Sequence, residues 1–352
     1  MRVKILFPAL FIIGLLLNVS CSKEGVLSND NEGIELRTAS LSVTISGKES
    51  SNIGKSKTET RALGTPTQAE ENKIFNYSIY VFYPNGTLEK VETLSGGTLT
   101  KNVTGLTAGA KQVVILANVP TGFPTITNYN DLATAMFNLD TQEASNLSTT
   151  GLAMSGEATT TLASGNANTL TVPVSRIVAK IKLGGITINA APGHDPSKFD
   201  LVAVHIMKVK ANTTMGVPTV VTDNTYYGGM MGLISSTNKT YLTESISTGN
   251  ENCYFYVFPN DNLSNNATLF VIEGKYNNVT NYFSFRINEN TITPGDGTGE
   301  FIKRNTVHTV NVVLKKLGGG TTDPEQPSDP TSLDVTIVPE DWKVIPDQNV
   351  EW

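Results

Sequence analysis

Apolar side chains alternate with more polar ones, at a period of two, in one short run after another. Leu41, Val43 and Ile45 are separated by Ser42 and Thr44, and Ile79, Val81 and Tyr83 by Tyr80 and Phe82. Ile177, Ala179, Ile181 and Leu183 repeat the pattern, and strand-like runs follow at 201–209, 254–258, 268–273, 282–287 and 306–314. Successive side chains of a β-strand point to opposite faces, so each run predicts a strand with one buried face. Pro84-Asn85-Gly86, Pro259-Asn260-Asp261 and Asn265-Asn266 punctuate the runs as turns. Val113-Val114-Ile115-Leu116 is apolar without interruption, which suits a strand covered on both faces. Helical spacing is best at 131–139, with Asp131 as cap and Leu132, Met136 and Leu139 on one side. These signals predict a mainly β fold of two β-sandwich-like domains, at 62–173 and 174–317.

Composition narrows the chemistry. The chain has 352 residues, 39% of them hydrophobic, enough for two cores. Its net charge of −6 and the lack of any Lys/Arg stripe argue against nucleic acid as a partner. Of two cysteines, Cys253 lies in the aromatic run Cys253–Phe258 and is expected to be a buried structural thiol. His194, His205 and His308 are scattered, and no pairing of His, Cys and carboxylates has metal-ligand spacing. Asn260-Asp261-Asn262 fits a turn, and Gly184-Gly185 lacks the other residues of a phosphate loop. A Gly-x-Ser-x-Gly elbow is missing as well. Tyr226-Tyr227 and Tyr254–Tyr256 suit sheet packing better than a sugar-binding face. The expectation is a chain without cofactor, metal or catalytic residues.

The two ends carry the functional signals. Arg2 and Lys4 precede an apolar stretch from Ile5 to Leu17, too short to span a membrane as a helix but suited to a secretory signal. Ser20-Cys21 then resembles a bacterial lipobox, with Cys21 as the lipidated residue of a 1–21 signal peptide; Asn18 departs from the usual Leu. Residues 22–61 form a propeptide that contains the Leu41/Val43/Ile45 strand and ends at Arg61, a cut site for an Arg-specific protease before Ala62. Gly318-Gly319-Gly320 opens a Thr, Asp, Pro and Ser tract, predicted to be a flexible linker over 318–332. The tail 333–352 follows, with Trp342 and Trp352 needing burial. Leu41-Ser42-Val43-Thr44-Ile45 and Leu333-Asp334-Val335-Thr336-Ile337 match at four of five positions, including the three that face a core. A removable strand that resembles a tail strand predicts β-strand addition between copies: Leu333, Val335, Ile337, Trp342 and Trp352 of one chain enter the groove vacated in the next. Donor and acceptor then lie at different sites, so the contact propagates head to tail.

The lipobox, the Arg61-Ala62 bond, the Tyr77–Tyr83 strand with its Asn85-Gly86 turn, Ser175–Lys180 and the Asn349–Trp352 ending together resemble type V pilus fimbrillins, the FimA-like family. The resemblance implies a structural subunit of a surface fimbrium, exported as a lipoprotein to the outer membrane. It implies cleavage by an Arg-specific protease and polymerisation with copies of itself or related pilus subunits. An alternative left open by the residues is a monomeric surface lipoprotein that binds glycan or protein through its loops.

Overall fold

The computed structural model describes residues 38–47, 66–96, 98–229, 239–249, 252–261, 266–287 and 302–342. The N-terminal half is built from β1 (Thr38–Gly47), a short helix α1 (Gln68–Asn72), β2 (Asn76–Phe82), β3 (Leu88–Ser95), β4 (Thr100–Thr107), β5 (Gly109–Ala117), β6 (Met136–Asn138), β7 (Met154–Leu162) and β8 (Ala167–Arg176). The C-terminal half contains β9 (Ala179–Ile188), β10 (Phe199–Met207), β11 (Val209–Lys210), β12 (Asn212–Thr214), β13 (Tyr226–Tyr227) and β14 (Thr243–Ser245). It continues with β15 (Tyr254–Val257), β16 (Leu269–Tyr276), β17 (Val279–Arg286), β18 (Thr306–Leu314) and β19 (Leu333–Asp341). The fold is mainly β, as the alternation predicts.

In the first half the strand order is β3-β2-β5-β7-β8-β1-β4. Only Met154↔Arg176 and Ser155↔Ser175 join β7 to β8. The sheet turns a corner there, and its two wings close over a core drawn from β1, β2, β4, β5, β7 and β8. The second half packs β14-β10-β16-β17 against β15-β9-β18-β19. The link between the halves is the dipeptide Ile177-Val178 between β8 and β9.

Val113, Val114, Ile115 and Leu116 of β5 are all fully buried. Val113 and Ile115 face the core of the first half, while Val114 and Leu116 join the core that extends into the second. An uninterrupted apolar run is what a strand with two covered faces requires.

Two expectations are corrected. Residues 131–139 do not form an α-helix: a 3-10 turn spans Tyr129–Ala133, capped by Asn128, and Met136–Asn138 is strand β6. Asp131 is not the cap but the third residue of a capping box, accepting from the Asn128 N–H at 2.9 Å. Pairing of β6 with β12 takes Phe137 into the core, a tertiary gain that outweighs weak helical spacing. The tract 318–332 is not a free linker either. Tyr282 and Thr321 exchange two backbone hydrogen bonds of 2.9 Å, and the Ser328 N–H reaches the Ser284 carbonyl at 2.8 Å. Pro324 and Glu325 are buried, and Glu325 lies 3.6 Å from Lys208. The short polar side chains of this tract form Asx turns at Asp323 and Asp329 that satisfy its own backbone, which lets it lie against β17.

Candidate assembly site: the β1 groove and the β19 tail

β1 occupies a slot between two strands. It runs parallel to β8, from Ser40↔Ala167 to Gly47↔Val174, and antiparallel to β4, from Thr38↔Thr107 to Thr44↔Thr100. Both backbone edges are thus engaged. Its inward residues Ala39, Leu41, Val43 and Ile45 are 7%, 0%, 0% and 3% exposed, so the strand is integral to the core. The opposite face is held by polar contacts: the Asn168 amide donates to the Ser40 carbonyl at 2.9 Å, and Thr44 meets Thr100 at 3.0 Å.

β19 is held differently. It is the edge strand of its sheet and pairs antiparallel with β18, from Thr306↔Asp341 to Leu314↔Leu333. Leu333 is buried, Val335 and Ile337 are half-buried, and Val338 is 41% exposed. Lys315 pairs with Asp334 at 2.5 Å on the rim. The two matching motifs therefore sit in different sheets, and the structure does not bring them together. Trp342 is buried to 5% exposure within the chain's own fold.

The burial of Trp342 draws on residues whose role here the sequence does not reveal. The fully buried Arg176 guanidinium lies 4.0 Å from the indole face, and Tyr256 stacks on it at 5.8 Å and 10°. Arg176 Nη1 donates to the Trp342 carbonyl at 3.3 Å and to Asn305 Oδ1 at 3.4 Å. Nε donates to the Glu71 carbonyl at 3.2 Å, and Nη2 to Asn72 Oδ1. The Glu71 carboxylate accepts from Lys180 at 2.8 Å and from the Tyr256 hydroxyl at 2.6 Å. Burial lowers the Arg176 pKa to about 10; burial and the Glu71 carboxylate raise that of Tyr256 well above its ordinary value. Full hydrogen bonding and an acid nearby make such a buried cation tolerable. α1 reaches this cluster because Asn118 anchors its exit, accepting from the Phe75 N–H and donating to the Lys73 carbonyl, each at 2.8 Å. The available sequence signal was a charged residue at the end of the apolar β8 pattern, in Val174-Ser175-Arg176-Ile177.

Cys21, Arg61, Ala62 and Trp352 lie outside the described residues. Cys253 is buried as expected, its thiol pushed up to about 12 mainly by desolvation. His205 bridges Thr243 at 3.0 Å and Glu273 at 3.1 Å, and His308 is packed in β18. Among the described residues no cluster of His, Cys, Asp and Glu is placed to hold a metal ion. Nor is any described helix long and apolar enough to cross a membrane.

A family model for the major fimbrial subunit protein (FimA) matches residues 39–281. No curated protein matches the chain by sequence. Solved structures of similar fold include a protein of Bacteroides eggerthii described as a candidate cell adhesion protein, with a TM-score of 0.67 at 23% identity over 88% of this chain and 97% of that one. A fimbrilin (FimA) of Porphyromonas gingivalis aligns with a TM-score of 0.63 at 20% identity, covering 87% and 98%. The tip fimbrial protein Mfa3 of the same organism, with a C-terminal truncation, gives 0.53 at 14%, covering 87% and 100%.

Proposed function

Because this chain belongs to the major fimbrial subunit protein (FimA) family, we propose that it is a surface fimbrial subunit that polymerises by exchanging β1 for the β19 strand of another copy. The supporting observation is the contrast between the two strands. β1 is paired on both edges and fully buried on one face, yet it joins the rest of its domain only through the segment 48–65, which contains Arg61. Cleavage after Arg61 cuts that connection and leaves the strand held by non-covalent contacts alone. β19 offers Leu333, Val335 and Ile337 at the spacing of Leu41, Val43 and Ile45, and it is an edge strand.

Once the cleaved β1 fragment has left, energetics favour a tail in the emptied slot. Each fully buried Leu, Val or Ile contributes about 1.5–3 kcal/mol, and each ladder hydrogen bond about 0.5–1.5 kcal/mol. A strand with three such anchors and two paired edges outweighs an edge strand whose Val335 and Ile337 are only half-buried. The same inward contacts are thus worth more in the β1 slot than in the tail's own sheet. The cost of ordering two chains must still be met. Export as a lipoprotein on Cys21, a fimbrium anchored at the outer membrane and support of adhesion complete the proposal.

The test uses residues 22–352, with and without an Arg-specific protease. N-terminal sequencing is combined with unheated gels, and a chain ending at Ser332 serves as control. A new terminus at Ala62 with detergent-resistant ladders that the shortened chain does not form supports the exchange. Clean cleavage at Ala62 that yields monomer alone overturns it and favours a monomeric surface binder. A palmitate mass on Cys21 in membranes checks the lipid.

A further inference from the structure

We infer that the pocket around Arg176 is a tryptophan socket with two successive occupants, the chain's own Trp342 before assembly and Trp342 of the incoming copy afterwards. The second occupancy depends on the strand exchange proposed above; the first is the contact already described. The socket is built from both halves of the molecule. Glu71 and Asn72 come from α1, Arg176 from the end of β8, Lys180 from β9, Tyr256 from β15, and Asn305 from the turn before β18. Once β19 leaves, a guanidinium face and a tyrosine ring are left open to water with their geometry held by the surrounding hydrogen bonds. An indole is the side chain that best satisfies both, through cation–π attraction and stacking.

Strand register brings the second indole to the same place. β1 runs parallel to β8, with Ser46 opposite Pro173 and Gly47 opposite Val174. Setting Leu333 of an incoming tail where Leu41 lies places Pro339 at Gly47. Continued three residues past the last pair of that register, Gly47↔Val174, the same spacing carries Trp342 to the level of Ile177, the neighbour of Arg176. The resident tail approaches the same point from the other half, since β19 reaches Asp341 opposite Thr306 and the Trp342 N–H bonds the Asn305 carbonyl at 2.9 Å. The two strands therefore converge, C-terminal ends foremost, on one guanidinium. Trp342 lies just past the last ladder pair, so its direction is not bound to the period-two alternation of the strand.

Two consequences distinguish this arrangement from simple packing. The resident indole blocks the end of the groove that the incoming indole requires, so a subunit becomes a full acceptor only after it has released its own tail. Residues 71 and 72 also tie the socket to α1, which begins seven residues after Arg61.

The experiment places a photoreactive benzoylphenylalanine at Trp342 in full-length chains grown in light and heavy isotopes. The two pools are mixed, cleaved and assembled, and the cross-linked peptides are identified by mass. Before cleavage the expected cross-links join residue 342 to peptides carrying Arg176 or Tyr256 within one chain. After assembly the expected change is a gain of light–heavy cross-links to those same peptides, from none. Ladders that form while residue 342 cross-links elsewhere, or remains light–light and heavy–heavy, overturn the socket and leave strand exchange standing. Failure of the unsubstituted cleaved chain to form ladders refutes both. In ladders formed by a Trp352→Phe chain, Trp342 is the sole indole. Its emission is expected to be blue-shifted and protected from iodide in both precursor and polymer, and a red-shifted, quenchable indole in the polymer refutes the second occupancy.

Discussion

The β1 slot can be tested by loosening the strand that fills it. Leu41 is fully buried on the inward face of β1, between Ala39 and Val43, and strands on both edges hold the backbone in place. Leu41→Ala removes most of a buried aliphatic side chain, and the two flanking ladders keep the site from collapsing into the space left. Core Leu→Ala changes cost about 2.7–5 kcal/mol, so about 3 kcal/mol is expected here. In the intact chain this appears as a lower urea midpoint. In a chain cut once between residues 48 and 65, β1 is a bound peptide and the same loss appears in its affinity, as an increase of about a hundredfold in Kd. A fluorescent label near the N-terminus reports this as loss of polarisation on dilution. Val335→Ala, on the half-buried edge strand β19, is the comparison and should leave retention of the β1 fragment unchanged. If the Leu41→Ala fragment is retained within a factor of about three of the unmodified one, β1 does not carry the groove's energetics and the reasoning fails.

His308 is 1% exposed in β18 opposite Pro339 of β19, and burial holds its pKa down to about 4 against 6.5 for the free side chain. Between those values the unfolded chain binds the proton first. Stability is therefore full above about pH 6.5 and falls toward pH 4, by up to about 3 kcal/mol. Urea midpoints across that range check this, and His308→Gln should flatten the slope. A Cβ at Gly156 would collide with the Pro173 carbonyl at the corner where β7 meets β8, so Gly156→Ala should lower stability by about 3 kcal/mol or more, read from the same unfolding curves. In a chain beginning after Cys21, the Cys253 thiol should resist aromatic disulfide reagents at pH 8 and react fully in denaturant, because it is buried and its pKa is pushed up to about 12.

Much of the architecture was legible because burial in a strand repeats every two residues and leaves a local mark. Leu41, Val43 and Ile45 follow from it, while the doubly covered run Val113–Leu116 and the buried Cys253 follow from apolar runs without alternation. The capping chemistry around Asp131 was also visible, but the same side-chain pattern serves a 3-10 turn as well as an α-helix. The Gly, Pro, Asp and Ser tract at 318–332 has the composition of a linker. Its packing depends on polar groups that Tyr282 and Ser284 supply from β17, and composition does not record a partner's geometry.

By itself, the sequence determined that this chain makes many short strands with apolar inner faces, and that one such face is written twice, near each end. Only the tertiary structure decided where those copies lie. β1 sits parallel to a strand more than a hundred residues away, while β19 lies on the edge of the other half. Which strands become neighbours is settled by non-local packing that the period of two leaves undetermined. The same packing turned Arg176, a charge at the end of a strand, into the fully buried centre that holds Trp342, because its hydrogen-bond partners come from three separate parts of the chain.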